Sequence, residues 1–277
     1  MRREAFEQML ETQDRHWWFR GKRRILGKII EKMVFSGPPC DILEVGCGTG
    51  SNLPMLVRFG NVTALELDDY AREHIPPIQG VSIAKGWLPD GLEAVRGKQF
   101  DLICLFDVLE HIERDGEALA ALGEHMRSGG KLLLTVPAYQ WMFGTHDRIL
   151  GHYRRYTRTR LQNLCIRQGY EIFYAGYINS LLFPLMAAAR VFDRFRGCHA
   201  STGTKVLIRF CSRYFRLKHF GSLIFPSPLE GRWFCCAGDR EGKKGKAFRK
   251  TGYRSHLVGF FIYFPLLLDW FLCPPIR

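Results

Sequence analysis

Apolar positions along this chain recur in two rhythms, and the rhythms alternate. Residues 4–33 carry apolar side chains at helical spacing and stop at the turn SGPP (36–39). DILEV (41–45) is a short apolar strand, followed by a glycine-rich turn and a helix through NLPMLVRF (52–59), where Pro54 is tolerated only in the first turn. VTALEL (62–67) and VSIAKG (81–86) read as the next strands. FDLICLFDVL (100–109) is almost continuously apolar, as a strand covered on both faces should be. DGEALAALGEHM (115–126) is an amphipathic helix stopping near Gly129-Gly130, and KLLLTVP (131–137) is a fifth strand. Thr157 caps a helix that runs to about Gln168, and YEIFYAGY (170–177) is a sixth strand. Such alternation predicts an α/β fold with a Rossmann-like, doubly wound, mostly parallel sheet, preceded by an N-terminal helix. Ligands of such sheets bind beyond the carboxyl ends of the strands, so the strand exits are the places to search.

Past residue 177 the pattern loosens. YINSLLFPLMAAARVFDRF (177–195) reads as an apolar helix interrupted by Pro184, and TKVLIRFCSRYFRL (204–217) as a basic amphipathic helix; either packs as a lid or rests on a membrane surface. HFGSLIF (219–225) is the place for a closing antiparallel strand, REGKKGKAFRK (240–250) reads as a flexible basic linker, and HLVGFFIYFPLLLDWFLCPP (256–275) is apolar over about one membrane thickness but broken by Pro265 and Asp269. The expected units are a helical cap (1–39), a ligand-binding domain (40–177), a helical insertion with the last strand (178–225) and an irregular basic and apolar tail (226–277).

Composition changes this picture in two respects. The net charge of +13 is concentrated at one end: residues 190–277 carry 17 Lys/Arg against 5 Asp/Glu, whereas residues 1–189 carry 23 against 22. A uniformly basic nucleic-acid-binding fold is therefore disfavoured against a balanced domain with a basic extension, which an anionic membrane surface would also attract. Nine cysteines include no C-x-x-C pair, and the opening MRREAFEQML lacks the apolar core of a signal peptide. The expectation is a reducing, cytoplasmic setting, with contact to the inner membrane as a further option.

The strand exits carry the candidate chemistry. In LEVGCGTGSN (43–52) glycines 46, 48 and 50 allow close backbone approach to a ligand, or simply a tight turn into a helix. A dinucleotide fingerprint would need glycine at position 51, which is Ser51. Glu66, at the end of the second strand, is placed to accept both hydroxyls of a ribose. Asp107, Glu110 and His111 stand together after the fourth strand.

On these residues the chain resembles the class I S-adenosylmethionine-dependent methyltransferases, over roughly residues 40–177. LEVGCGTG, LEL, FDLICLFDVLEHI and SGGKLLLTVP look like their motifs, in order and at plausible spacing. The resemblance implies the class I methyltransferase fold with S-adenosyl-L-methionine as cofactor. It implies that Glu44, Gly46, Cys47, Gly48 and Gly50 line the methionine part, that Glu66 meets the ribose, that Gly86, Trp87 and Leu88 border the adenine, and that Leu67, Asp107 and Val108 lie against the cofactor. The third exit, KGWLPDG, lacks the acid many relatives carry there; Trp87 either stacks on adenine or packs in the core.

HWWFRGKRRIL (16–26) resembles the opening helix of a subgroup, where it folds over the cofactor mouth. Either Arg20 or Arg23 then meets the cofactor carboxylate or an acidic substrate, or Trp17, Trp18 and Phe19 are a packing anchor with the arginines in solvent. VPAYQWMFGTHDRILGHYRRYT (136–157) is long for a strand–helix connection and resembles a stretch of methyltransferases associated with cell-envelope glycan or lipid pathways. That likeness implies a small or lipid- or glycan-linked hydroxyl acceptor. Either His146 or His152 is then the general base, with Asp147 orienting a histidine and His111, Arg154, Arg155 and Tyr156 on the substrate side, or the histidines are hydrogen-bonded structural residues and one of the adjacent arginines faces solvent. No metal is expected, because no third ligand sits at suggestive spacing. The alternative of another class is a non-catalytic module of this fold that binds a membrane surface or RNA through its basic last third; oligomeric state is left open.

Overall fold

The computed structural model describes residues 3–33, 39–178 and 256–263. Seven strands, β1 (Cys40–Val45), β2 (Gly60–Glu66), β3 (Val81–Lys85), β4 (Phe100–Phe106), β5 (Met126–Pro137), β6 (Tyr170–Ile178) and β7 (His256–Tyr263), form one sheet in the order β3-β2-β1-β4-β5-β7-β6. Their pairings all run parallel. The helices are α1 (Arg3–Thr12), α2 (Trp17–Met33), α3 (Leu53–Leu56), α4 (Asp69–Glu73), α5 (Asp115–Glu124), α6 (Thr145–Leu150) and α7 (Arg158–Arg167). The chain winds outward from β1 to β3, then returns to β4 on the other side of β1. The reversal of winding at the β1/β4 junction opens a crevice beyond the carboxyl ends of these two strands.

β1 and β4 form the centre. Ile42, Leu43, Leu102, Ile103 and Leu105 are consecutive or nearly so, yet fully buried, because both sheet faces are covered. Each contributes about 1.5–3 kcal/mol on burial. Leu26 and Ile30 of α2 belong to the same core, which anchors the N-terminal helices on the sheet.

Several elements differ from the sequence expectation. The helical stretch 4–33 is two helices broken at 13–16, where Gln13 N and His16 N bond back to Met9 O and Thr12 O. The apolar run 100–109 stops as a strand at Phe106, because Asp107 turns into the left-handed backbone region at φ 60°. β5 begins at Met126, running through Gly129-Gly130 with a register shift between Phe100 and Leu102 of β4; the glycines mark a bulge inside the strand rather than its start. Thr157 caps α7 as expected, accepting from Arg160 N at 3.3 Å.

The seventh strand comes from a stretch whose sequence reads only as an apolar run. It is drawn from 256–263 and pairs in parallel with β5, from Lys131↔Leu257 to Pro137↔Tyr263, and with β6. The expected antiparallel strand at 219–225, the helices beyond Ile178, the linker at 240–250 and the rest of the apolar run at 264–275 lie outside the described residues. Among the described residues, no helix is long and apolar enough to cross a membrane.

Candidate cofactor and acceptor site

The turn after β1 is shaped by backbone. Gly46 has φ +74°, and a Cβ there would stand 2.5 Å from Val108 Cγ2, so the exits of β1 and β4 pack as one unit. Gly46 N and Cys47 N both donate to Leu65 O, at 2.7 and 3.1 Å. Gly48, at φ +56°, donates its N–H to Glu66 Oε2 at 2.8 Å, and Asp68 N donates to Glu66 Oε1 at 3.0 Å. The expected ribose acid is thus brought onto the glycine turn by two backbone amides. Thr49 Oγ1 donates to the buried Gln13 Oε1 at 2.6 Å, and Arg23 donates to Gln13 O at 2.9 Å, which seats the break between α1 and α2 on this turn.

Two further acids line the crevice. Glu44 is buried; Oε1 accepts from Asn52 Nδ2 at 3.0 Å, while Oε2 has no hydrogen-bond partner among the described residues. Burial raises its carboxyl from 4.5 to about 7, against the lowering effect of Asn52 and Lys22. Asp107 forms an ion pair with Lys22 of α2 and accepts from Thr135 Oγ1 at 2.6 Å. A non-glycine residue held at positive φ at a strand exit is a strained position, and such positions cluster at functional sites.

These groups fit the cofactor the sequence implies. Each oxygen of Glu66 has spent one lone pair on an amide and keeps another for a ribose hydroxyl. The orphaned Glu44 Oε2 suits a cationic donor such as an ammonium. Leu67 and Trp87 stand at the β2 and β3 exits, 53% and 41% exposed. Trp87 is therefore not a core residue, which removes that alternative; its ring lies over Gly91, where a Cβ would run into it. Leu88 is buried, and Cys47 is a buried thiol whose pKa burial pushes up. Arg20 is exposed on α2 and Trp18 is buried, so the aromatic anchor is present at that residue. The cation that enters the site is Lys22, which sequence reasoning missed.

The connection after β5 behaves differently. Asp147 of α6 is fully buried and accepts from Arg155 Nε and Nη2, both at 2.7 Å, from Gly144 N at 2.9 Å and, at 2.9 Å, from His152 Nδ1. Burial alone would raise its carboxyl, but the bonds from His152 and Arg155 hold it well below the usual range. Arg154 donates to Ile112 O and Glu113 O and pairs with Asp115 at 2.7 Å. Tyr156, 0% exposed, donates to Asp115 Oδ2 at 2.9 Å. Arg154, Arg155 and Tyr156, expected on the substrate side, all have partners within the protein: Arg155 and Tyr156 are buried, and Arg154 is partly buried. His146 has its backbone in α6, and its side chain lies outside the described residues. His111 meets His152 edge to face, with ring centroids 4.5 Å apart, and burial together with that neighbour pushes its imidazole down to about 3. Glu110 is fully buried, and neither carboxylate oxygen has a hydrogen-bond partner among the described residues.

Residues 10–175 match the model of a family described as a methyltransferase domain. A trans-aconitate 2-methyltransferase from Deinococcus radiodurans is 27% identical over 130 residues, covering 45% of this chain and 48% of that relative. The mitochondrial ubiquinone biosynthesis O-methyltransferase of Schizosaccharomyces pombe is 32% identical over 111 residues, covering 38% of this chain and 40% of that relative. The chain thus matches about half the length of these curated relatives or less. The crystal structure of N-methyltransferase NodS from Bradyrhizobium japonicum, in complex with S-adenosyl-L-homocysteine, is 18% identical, with a TM-score of 0.45, covering 59% of this chain and 84% of that one.

Proposed function

The chain belongs to the methyltransferase-domain family, and from that membership we propose that it transfers the methyl group of S-adenosylmethionine to an oxygen or nitrogen of a small-molecule acceptor. The observation that carries this reading is the pair of acids around the glycine turn: Glu66 drawn onto Gly48 N, and Glu44 buried with one oxygen unanswered. When bound, the cofactor supplies a methyl group already activated on a sulfonium. The chain's own residues then bind, orient and exclude water. Glu66 takes the ribose hydroxyls, Glu44 takes a cationic donor, and the Lys22–Asp107 pair ties α2 to the β4 exit across the crevice.

The finer assignment within this reading is a hydroxyl acceptor. The S. pombe relative is by name an O-methyltransferase, and the HD…GHYRRYT stretch resembles that of enzymes of envelope glycan or lipid pathways. The acceptor side is the wall formed by residues 138–157, where Asp147 holds His152 by Nδ1.

Isothermal titration with S-adenosylmethionine and with NADH tests the reading. Saturable binding of the first alone is expected, abolished by Gly48→Arg, because the substitution strains a positive-φ position and fills the cradle. Unchanged affinity in that variant, or preference for NADH, would sink it. Labelled-methyl transfer to hydroxyl and amine acceptors then decides the nucleophile.

A further inference from the structure

We propose that Glu110, His111 and His152 form a binding site for a divalent transition-metal ion of the zinc type, with an open coordination position. One carboxylate oxygen and one ring nitrogen from each histidine lie within 4.8 Å of one another. The donors come from two separate exits. Glu110 and His111 sit in the 3-10 turn Leu109–His111 after β4, and His152 follows α6. This is why no ligand spacing is visible along the chain. A tetrahedral ion with bonds of about 2.1 Å needs donors roughly 3.4 Å apart, so side-chain rotations on the order of 1 Å draw the three inward.

Two independent features point to a cation. The first is Glu110. It is fully buried, and neither oxygen has a hydrogen-bond partner among the described residues. A carboxylate so placed is costly unless it is paired or coordinates a metal. Lys22 and Arg155 act on it through their charges, but neither bonds to it: Arg155 is bonded to Asp147 through Nε and Nη2, and Lys22 is paired with Asp107. The second is the orientation of the two imidazoles. Asp147 Oδ1 accepts from His152 Nδ1 at 2.9 Å, which leaves Nε2 as the ligand atom. The His111 ring is oriented by the carbonyls of Leu150 and Gly151, and one of its nitrogens lies within 4.8 Å of the other two donor atoms. Asp147 is itself held by Arg155 and by Gly144 N. Metal-bound histidines are oriented by outer acceptors of this kind.

Two imidazoles and one carboxylate favour zinc and neighbouring ions over magnesium or calcium, which prefer all-oxygen sites. Three protein ligands leave a fourth position for a water or an acceptor oxygen. The use of that position on an acceptor rests on the proposed methyl transfer, whereas the site itself does not.

The test uses the full chain, freed of metal with a chelator and dialysed. Zinc is added in a calorimeter, and cobalt(II) is followed by visible absorption. The expected result is one ion per chain, with cobalt bands of a low-coordinate nitrogen and oxygen site and no thiolate charge-transfer band. Glu110→Gln, His111→Gln and His152→Gln should each weaken zinc at least as much as loss of an outer partner does, about 10–100-fold. Glu110→Gln keeps shape and breaks no side-chain hydrogen bond, and its urea midpoint and S-adenosylmethionine affinity confirm that the variant is folded. A folded Glu110→Gln chain that binds zinc as the parent does overturns the proposal. So does a thiolate cobalt spectrum, or no zinc binding by a chain that binds S-adenosylmethionine. Zinc bound as described by a chain that does not bind S-adenosylmethionine leaves the metal site standing and removes the methyl-transfer reading.

Discussion

The turn after β1 and the connection after β5 leave the same edge of the sheet and solve opposite problems. The first is built from backbone: three glycines at positive φ, amides offered to Glu66, and a buried Glu44 whose second oxygen has no partner among the described residues. The second is built from side chains that answer one another, with Asp147 accepting four bonds from its own loop. The first is incomplete without a ligand; the second closes on itself. Burial drives Glu44 up, while partners drive Asp147 down. A charged residue near a site therefore says little until its partner is known. The groups to follow are those left unanswered, Glu44 and Glu110.

Breaking the clasp should have the largest effect. Arg155→Met leaves the Asp147 carboxylate buried with only His152 and Gly144 N beside it. Removing one partner of a buried pair typically costs about 3–5 kcal/mol, far more than an exposed pair. Urea unfolding should show that loss, with S-adenosylmethionine affinity per folded molecule little changed. A loss below about 1 kcal/mol would mean that the clasp is not what closes this loop.

The two acids predict opposite pH dependence, and for Glu44 the effect is about 3 kcal/mol. Glu44 has a folded pKa of about 7 against a usual 4.5, so the folded state holds its proton more tightly than the unfolded state. Its stabilisation is fully present below about pH 4.5 and is lost as pH rises through about 7. Asp147 is depressed, so its stabilisation is present above the usual 3.8 and is lost as pH falls through the folded value. Glu44→Gln should therefore flatten the stability curve between about pH 4.5 and 7 and leave the acid limb unchanged. Glu110 shares the sign of Glu44 but is present in both chains, so subtraction removes it. A cationic donor on Glu44 Oε2 favours the ionised form, so cofactor affinity should rise over the same interval. A parent curve parallel to that of Glu44→Gln would dissolve the contrast.

The same contrast explains what was legible in the sequence. The glycine turn, Glu66 and the Thr157 cap are local: a few adjacent residues specify backbone conformations and their bonds. Lys22 was not legible, because Arg20, Lys22, Arg23 and Arg24 are equivalent in the chain and only the docking of α2 brings one of them to Asp107, 85 residues away. Arg154, Arg155 and Tyr156 show their polar groups in the sequence but not that Asp115 and Asp147 consume them. The apolar run from residue 256 suits a strand, a helix or a span equally, and pairing between β5 and β6 decides for 256–263. Local backbone chemistry is readable; long-range pairing is not.

The smallest effect separates binding from folding at the glycine turn. Glu66→Gln keeps one acceptor for the amides of Gly48 and Asp68 but loses the charge that strengthens bonds to ribose hydroxyls. Hydrogen bonds to a charged group contribute about 1.5–3 kcal/mol, so S-adenosylmethionine should bind roughly 10–100-fold more weakly. Stability should fall by only about 1 kcal/mol, because the turn is also held by Gly46 N and Cys47 N on Leu65 O. Calorimetric titration beside urea unfolding gives both numbers on one preparation. If the cradle waits for a ligand, affinity falls and the fold holds. If stability falls while affinity per folded molecule stays, Glu66 is a clasp like Asp147, and the two exits of the sheet are built alike after all.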